Sequence, residues 1–336
     1  MEYGSVARES AVLRGTGWFN MKVLFVWTGV TSYMVDCWRE FAKRKYADSR
    51  IFIVRHSSGR EIEAEKLFSG LDVHMIDDGT PIDLGSWIPD TVFAVGWRSK
   101  SVRKLVGSQN LQGVPKICCF DMPWRWRLRC ICARWVLARY LARFNAAFVP
   151  GESAARYAKW LGFTRIYTGL FSLDTNRFPH RCASCGFLYL GRHVPEKRID
   201  LLVRAYTRYR ELGGSWNLDI YGGEKFIQPS DVPSLYANHA CLVLASSFDP
   251  WPLVILEATA SGLRVISSDR CGNVDELGAR KVKYADTEAM ARAMLDAEHG
   301  CFQPAGRGTA EKYDCRKWVD RVVGICNAVT GNKNDD

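Results

Sequence analysis

The chain has 336 residues, 47% hydrophobic and 24% charged, which excludes a disordered or low-complexity protein and provides core material for about two domains. Its 46 Lys and Arg against 36 Asp and Glu give a formal net charge of +10, and no charge-free apolar window of about eighteen residues exists, so no membrane span is expected. Twelve cysteines, without the apolar core of a signal peptide ahead of them, read as reduced thiols of a cytoplasmic protein.

Residues 1–20 lack periodicity and read as an N-terminal extension ahead of a strong strand from Met21 to Trp27. The loop Thr28-Gly29-Val30-Thr31-Ser32 and an amphipathic helix to about Tyr46 complete a first β-loop-α unit. Strands follow at 51–54, 72–76, 91–97, 116–120 and 146–150, separated by helices near 60–69, near 99–109 and from about 124. Strands alternating with helices predict an α/β fold with parallel sheets covered on both faces. Asp121 stands just past the strand that ends at Phe120, at the carboxyl edge of that sheet, where a cleft is expected.

Residues 123–144, PWRWRLRCICARWVLARYLARF, carry six arginines, five aromatic residues and no acid. Such a segment suits the anionic surface of a membrane, where guanidinium groups meet headgroups and indoles sit at the interface. It also suits nucleic-acid phosphates, although no RNA-recognition motif accompanies it and a nucleic-acid partner is not expected. The plainest alternative is a helix with Leu128, Ile131, Trp135, Ala138 and Ala142 on a buried stripe and arginines snorkelling around it. Further on, Cys182-Ala183-Ser184-Cys185 is a lone CxxC with no second pair at zinc-ribbon spacing, and no metal site is expected there.

The most informative stretch is FDPWPLVILEATASGLRVISS, from Phe248 to Ser268. Cys241 to Ala245 before it is a continuous apolar run of buried-strand length. Pro252 suits the first turn of a helix, Leu253, Leu256 and Ala260 repeat at helical spacing, and Gly262 ends the element. An acidic loop therefore leaves the carboxyl end of a strand and enters a helix, the place where open α/β sheets bind ligands. Asp249 and Glu257 frame that helix start, and neither has a cation beside it in sequence. A carboxylate accepts two hydrogen bonds at once, which fits the vicinal hydroxyls of a sugar, and the helix N-terminus between them favours a diphosphate.

Four stretches, in order, carry a resemblance. VPGESAARYAKWLGF (149–163), TGLFSLDTNRF (168–178), FLYLGRHVPEKRIDLLVRAY (187–206) and FDPWPLVILEATASGLRVISSDRCGNVDEL (248–277) resemble the retaining glycosyltransferases of family 4, the glycosyl transferases of group 1. The resemblance implies the GT-B architecture, two Rossmann-like domains facing each other across a cleft. It implies an acceptor domain with linker at 21–179, a donor domain at 180–309, and a last helix and tail at 310–336 that crosses back to the first domain. The donor would be a UDP- or GDP-linked hexose, the acceptor a hydroxyl of a glycan, polysaccharide or lipid-linked sugar, and no cofactor or metal would be needed. Cytoplasmic residence, with association to the cytoplasmic face of a membrane, is the matching expectation.

By the same resemblance Arg192 and Lys197 match the cations that stabilise the leaving diphosphate, a role that side chains must fill in the absence of a metal. Asp249 would hold the hydroxyls of the transferred sugar and Glu257 the ribose diol. Gly191, Gly222 and Gly223 would let the backbone approach the nucleotide, and Trp251 and Leu253 complete the donor set. Gly29 and Asp121 are the acceptor-side candidates. Family members depart from double displacement: the leaving phosphate oxygen takes the acceptor's proton on the same face. Three features depart from the family pattern. Asp249 replaces Glu, Pro252 replaces Gly, and the segment from Gly223 to Leu235 is too short for the helix and strand expected there. They motivate a second reading, a degenerate subunit that binds nucleotide-sugar or glycan without turnover.

Overall fold

Buried parallel strands need apolar side chains on both faces, and the Val-, Ile- and Phe-rich runs of the sequence supply them. The computed structural model describes residues 21–29, 32–55, 67–179, 185–223, 227–228 and 230–331. The extension at 1–20, Val30 and Thr31 of the first loop, most of the helix expected near 60–69, Cys182 to Ser184 of the CxxC, part of the stretch after Gly223 and the tail beyond 331 lie outside the described residues.

The first half runs β1 (Met21–Thr28), α1 (Ser32–Ala42), β2 (Ala47–Arg55), β3 (Val73–Asp77), β4 (Thr91–Val95), α2 (Lys100–Val106), β5 (Lys116–Cys119), α3 (Leu128–Val136), α4 (Ala138–Leu141), β6 (Ala146–Val149), α5 (Glu152–Leu161) and β7 (Ile166–Thr168). Its strands form one parallel sheet in the order β3-β2-β1-β4-β5-β6-β7. The second half runs β8 (Phe187–Leu190), α6 (Ile199–Glu211), β9 (Leu218–Tyr221), α7 (Val232–Ala237), β10 (Cys241–Leu244), α8 (Leu253–Ser261), β11 (Arg264–Ser268), β12 (Arg280–Val282), α9 (Thr287–Glu298), α10 (Arg307–Glu311) and α11 (Cys315–Thr330). Its sheet is also parallel, in the order β12-β11-β10-β8-β9. The two sheets match the GT-B architecture that the sequence implied.

Two differences from the sequence reading have a plain cause. β2 begins at Ala47, four residues early, because its pairing with β1 starts at Met21 opposite Ala47 and draws polar Asp48 to Arg50 into the ladder. The basic helix expected from about 124 is two helices separated at Leu137, and it buries the opposite face. Leu128 and Trp135, placed on the buried stripe, are 76% and 64% exposed, and Ala138 and Ala142 are exposed too. Cys130, Ala133 and Leu137 pack on the core instead.

One face of the first sheet buries Val23, Phe25, Phe93 and Phe148 against Trp38 and Phe41 of α1. The same cluster contains Trp318, Val319, Val322 and Ile325 of α11. The last helix thus crosses back to the first domain, where Trp318 Nε1 donates to Leu170 O at 2.9 Å. Asp314 caps it, accepting from Arg316 N at 2.9 Å, and also accepts from Thr175 N and Oγ1 at 3.1 and 2.6 Å. That carboxylate ties the linker to the returning helix. Among the described residues no helix is long and apolar enough to cross a membrane.

The strand orders locate the crevices. In the first sheet β1 lies between β2 and β4, and in the second β8 lies between β9 and β10. At both places the chain leaves one side of the sheet for the other, and loops diverge beyond the carboxyl ends of the strands.

Candidate active site

At the second crevice, the loops after β8 and β10 are bound to one another. Ser247 donates from N and Oγ to Glu196 O at 2.7 and 3.1 Å. Asp249 N donates to Arg270 O at 3.1 Å, and Gly272 N donates to Asp249 O at 2.9 Å, fixing the acidic loop to the turn after β11. This framing brings Lys197 Nζ to 2.5 Å from Asp249 Oδ2, with only 16% and 14% of the side chains exposed. The carboxylate that has no neighbouring cation in sequence therefore has one in space. Lys197 closes a single 3₁₀ turn, Pro195–Lys197, and Arg198 follows in the left-handed region at φ 51° before α6 begins.

Arg192 is exposed in the loop after β8 and makes no ion pair among the described residues. Its backbone is held by Tyr189, whose hydroxyl donates to Arg192 O at 3.2 Å. Burial, then the Asp249 charge, push the Tyr189 phenol up to about 12. Sequence reasoning did not single out Tyr189, a residue inside a strand whose hydroxyl partner is set only by the fold. Gly222 has φ 119°, and a Cβ there would stand 1.9 Å from Gly191 O. A Cβ on Gly223, at φ 62°, would stand 2.5 Å from His193 Nδ1. Those glycines are needed for the backbone to pass.

Pro252 is the cap of α8 rather than its first residue. The N–H groups of Leu253 and Val254 open the helix and have no intrahelical acceptor, so Leu253 offers a backbone donor while its side chain packs on the core. Glu257, one and a half turns in, accepts from the hydroxyl of fully buried Tyr236 at 2.6 Å. Burial raises the Glu257 carboxyl, opposed by the Tyr236 hydrogen bond and the Arg177 charge. Sequence reasoning missed Tyr236, since a Tyr in a short helix carries no local mark of its partner. Between β9 and α7 the described residues contain no helix or strand, and β9 is the edge of the sheet.

Trp251 is not brought to the crevice. It is 5% exposed, its ring lies 5.3 Å from that of Tyr313, and a Cβ on Gly151 would meet it at 2.1 Å. It therefore joins the two domains. Glu276 does the same: its Oε1 accepts from Glu152 N at 3.0 Å, at the N-terminus of α5, and its Oε2 from Tyr313 OH at 2.9 Å.

Facing this crevice, the carboxyl ends of β1 to β5 enclose a cavity of about 310 Å³. Thr28, Arg55, Asp78, Arg98 and Asp121 supply its polar lining. Gly29 sits at its edge in the left-handed region, φ 72°, donating to Val54 O at 3.0 Å. Asp78 is already engaged by Ser99 Oγ at 2.7 Å. Asp121 is reached by solvent but walled by protein, which raises its carboxyl first; the Asp249 charge across the cleft raises it further and Arg98 opposes. The carboxylates of the two walls, Asp121 and Asp249, thus sense one another. Arg55 and Arg98 were not singled out in the sequence, being lone arginines at strand ends. Asp174, Asp314 and Cys315 are spaced to hold a metal ion, but Asp314 is occupied by Arg316 and Thr175.

Residues 184–298 match the family described as Glycosyl transferases group 1. No curated protein matches the chain in sequence. Solved structures match over almost the whole chain. The apo form of the lipopolysaccharide outer core galactosyltransferase WaaB is 14% identical with a TM-score of 0.65, covering 93% of this chain and 100% of that one. Anabaena Alr3699/HepE, in complex with UDP and glucose, is 13% identical with a TM-score of 0.65, covering 91% and 99%. The N-terminal domain of Candida albicans trehalose-6-phosphate phosphatase is 11% identical with a TM-score of 0.69, covering 94% and 98%. Similarity at this identity establishes architecture, and architecture alone does not fix chemistry. The chain has the GT-B fold, and residues 184–298 of its second half are similar to the glycosyl transferases group 1 family.

Proposed function

We propose that the chain transfers a hexose, with retention, from a UDP- or GDP-linked donor in the second-domain crevice to a hydroxyl acceptor in the first-domain cavity. The observation that carries this reading is the Lys197–Asp249 pair at the switch point of the second sheet, with Arg192 in the same loop after β8, facing a polar cavity at the switch point of the first. The family match over this crevice and a neighbour described in complex with UDP and glucose support it.

In this reading the diphosphate lies over the Gly191–Gly222 backbone contact and the first N–H groups of α8. Arg192 clamps two of its oxygens and Lys197 adds a point charge, compensating the negative charge that grows as the bond from the sugar C1 to the phosphate oxygen breaks. Asp249 exchanges part of its bond to Lys197 for the sugar hydroxyls, and Glu257 holds the ribose diol. The acceptor hydroxyl forms the new bond to C1 from the same face, and its proton goes to the departing phosphate oxygen. Asp121 orients that hydroxyl.

A second reading, binding without turnover, is favoured by Pro252, which offers no N–H at the helix cap, and by the short β9–α7 connection. The two are separated by incubating purified protein with UDP-, GDP- and ADP-sugars and measuring nucleoside diphosphate release and product anomer by NMR. Turnover of one donor, lowered about 100-fold by Lys197→Ala, is the expected result. Binding of a donor with no release under any acceptor overturns catalysis in favour of the second reading.

A further inference from the structure

Among the described residues six large apolar side chains are exposed, and four of them fall in one short stretch: Trp126, Leu128, Trp135 and Val136, at 86, 76, 64 and 78%. At about 100° per residue, Leu128, Trp135 and Val136 lie on the face of α3 opposite Cys130, Ala133 and Leu137, which hold the helix to the first domain. The helix is apolar on both sides, and only one side is covered. Arg127, Arg129, Arg134 and Arg139 stand exposed around the uncovered side and make no ion pair among the described residues. No Asp or Glu occurs between Asp121 and Glu152.

We infer that this face, Trp126 to Arg139, docks on an anionic membrane surface. Large apolar patches on a monomer mark contact sites, and the composition of this one selects among partners. Indoles and aliphatic tips enter the headgroup boundary of a bilayer while guanidinium groups stay with lipid phosphates. A nucleic acid would satisfy the arginines but leave Leu128 and Val136 in water. A second copy of the chain would cover the apolar tips but press two sets of like charges together. An anionic bilayer satisfies both requirements at once.

The placement gives the contact a use. Asp121 and Met122 line the cavity, and the guanidinium of Arg125 lies 3.8 Å from the ring centroid of Phe248, the residue before Asp249. The docking face therefore borders the cleft. If the proposed transfer holds, a lipid-anchored acceptor reaches the cavity without leaving the surface; the docking itself does not depend on that reaction.

The test is flotation of the full chain with vesicles of phosphatidylglycerol and phosphatidylcholine, compared with vesicles of phosphatidylcholine alone, with no donor or acceptor present. Expected is binding to the anionic vesicles that weakens as salt is raised. Each arginine removed should lower partitioning about fivefold, so Arg127→Gln with Arg129→Gln should lose roughly twenty-five-fold at an unchanged melting temperature. Trp126→Ser with Trp135→Ser should weaken the binding that survives at high salt. The inference is overturned by no flotation with anionic vesicles, by equal flotation with both vesicle types, by tighter binding to a DNA duplex, or by a dimer that the tryptophan substitutions disperse. None of these outcomes touches the transfer reading.

Discussion

The two crevices occupy equivalent places in two similar sheets, yet their charged groups are set differently. Beyond β8 and β10 three of the charged groups are engaged before any ligand arrives, Lys197 with Asp249 and Glu257 with Tyr236, while the Arg192 guanidinium makes no ion pair among the described residues and only its carbonyl is held, by Tyr189. Beyond β1 to β5, Arg55, Arg98 and Asp121 make no ion pair among the described residues. A nucleoside diphosphate is one fixed arrangement of charges and hydroxyls, and a crevice that binds it gains by holding its cations and carboxylates in place. In the proposed reading acceptors differ, and the cavity that would meet them keeps Arg55, Arg98 and Asp121 free of ion pairs among the described residues.

The comparison depends on the two walls facing each other, and Asp314, which ties the linker to the returning helix, is one support of that arrangement. Burial alone would raise its carboxyl, but Arg316 and Thr175 hold it well below the usual carboxylate range. A depressed pKa contributes stability above the unfolded value near 4 and loses it as pH falls through the folded value. Asp314→Asn should therefore cost about 2 kcal/mol at neutral pH, allowing for a half-exposed Arg316, with the gap to wild type closing in acid. Urea unfolding at two pH values checks this; an equal loss at both would remove the carboxylate charge from the explanation.

A smaller effect sharpens the contrast between ligand duty and stability. Glu257 has the opposite sign, a carboxyl raised by burial. Its protonated form is favoured by folding, so that contribution is present at low pH and is lost as pH rises through the folded value. Glu257→Gln keeps an acceptor for Tyr236 and removes the charge. The melting temperature should be unchanged or slightly higher at neutral pH, while nucleotide affinity falls about tenfold. A variant that melts lower and binds normally would make Glu257 a structural residue only.

The donor wall was legible in the sequence because each half of it is local. Gly191 to Lys197 is one strand end and turn, and Asp249 to Glu257 is one loop and helix start, so contiguous motifs can carry the resemblance that singles these residues out. What joins the halves was not legible. The Lys197–Asp249 pair spans 52 positions, and the direction of Trp251 is decided by Gly151 and Tyr313, far along the chain. The cavity is assembled from five strand ends and leaves no contiguous pattern at all. α3 was misread for a further reason: Leu128 and Trp135 on one side, Cys130, Ala133 and Leu137 on the other, give two apolar faces, and periodicity cannot say which one the core takes.

The central claim is that the second-domain crevice binds a nucleoside diphosphate through Arg192 and Lys197. Calorimetric titration with UDP, GDP and ADP, repeated on Arg192→Ala, tests it most directly, because Arg192 is exposed and its loss should leave the fold intact. The account predicts micromolar binding of one nucleotide, weakened at least tenfold by the substitution. Binding that Arg192→Ala leaves unchanged, or none with any of the three, would contradict it.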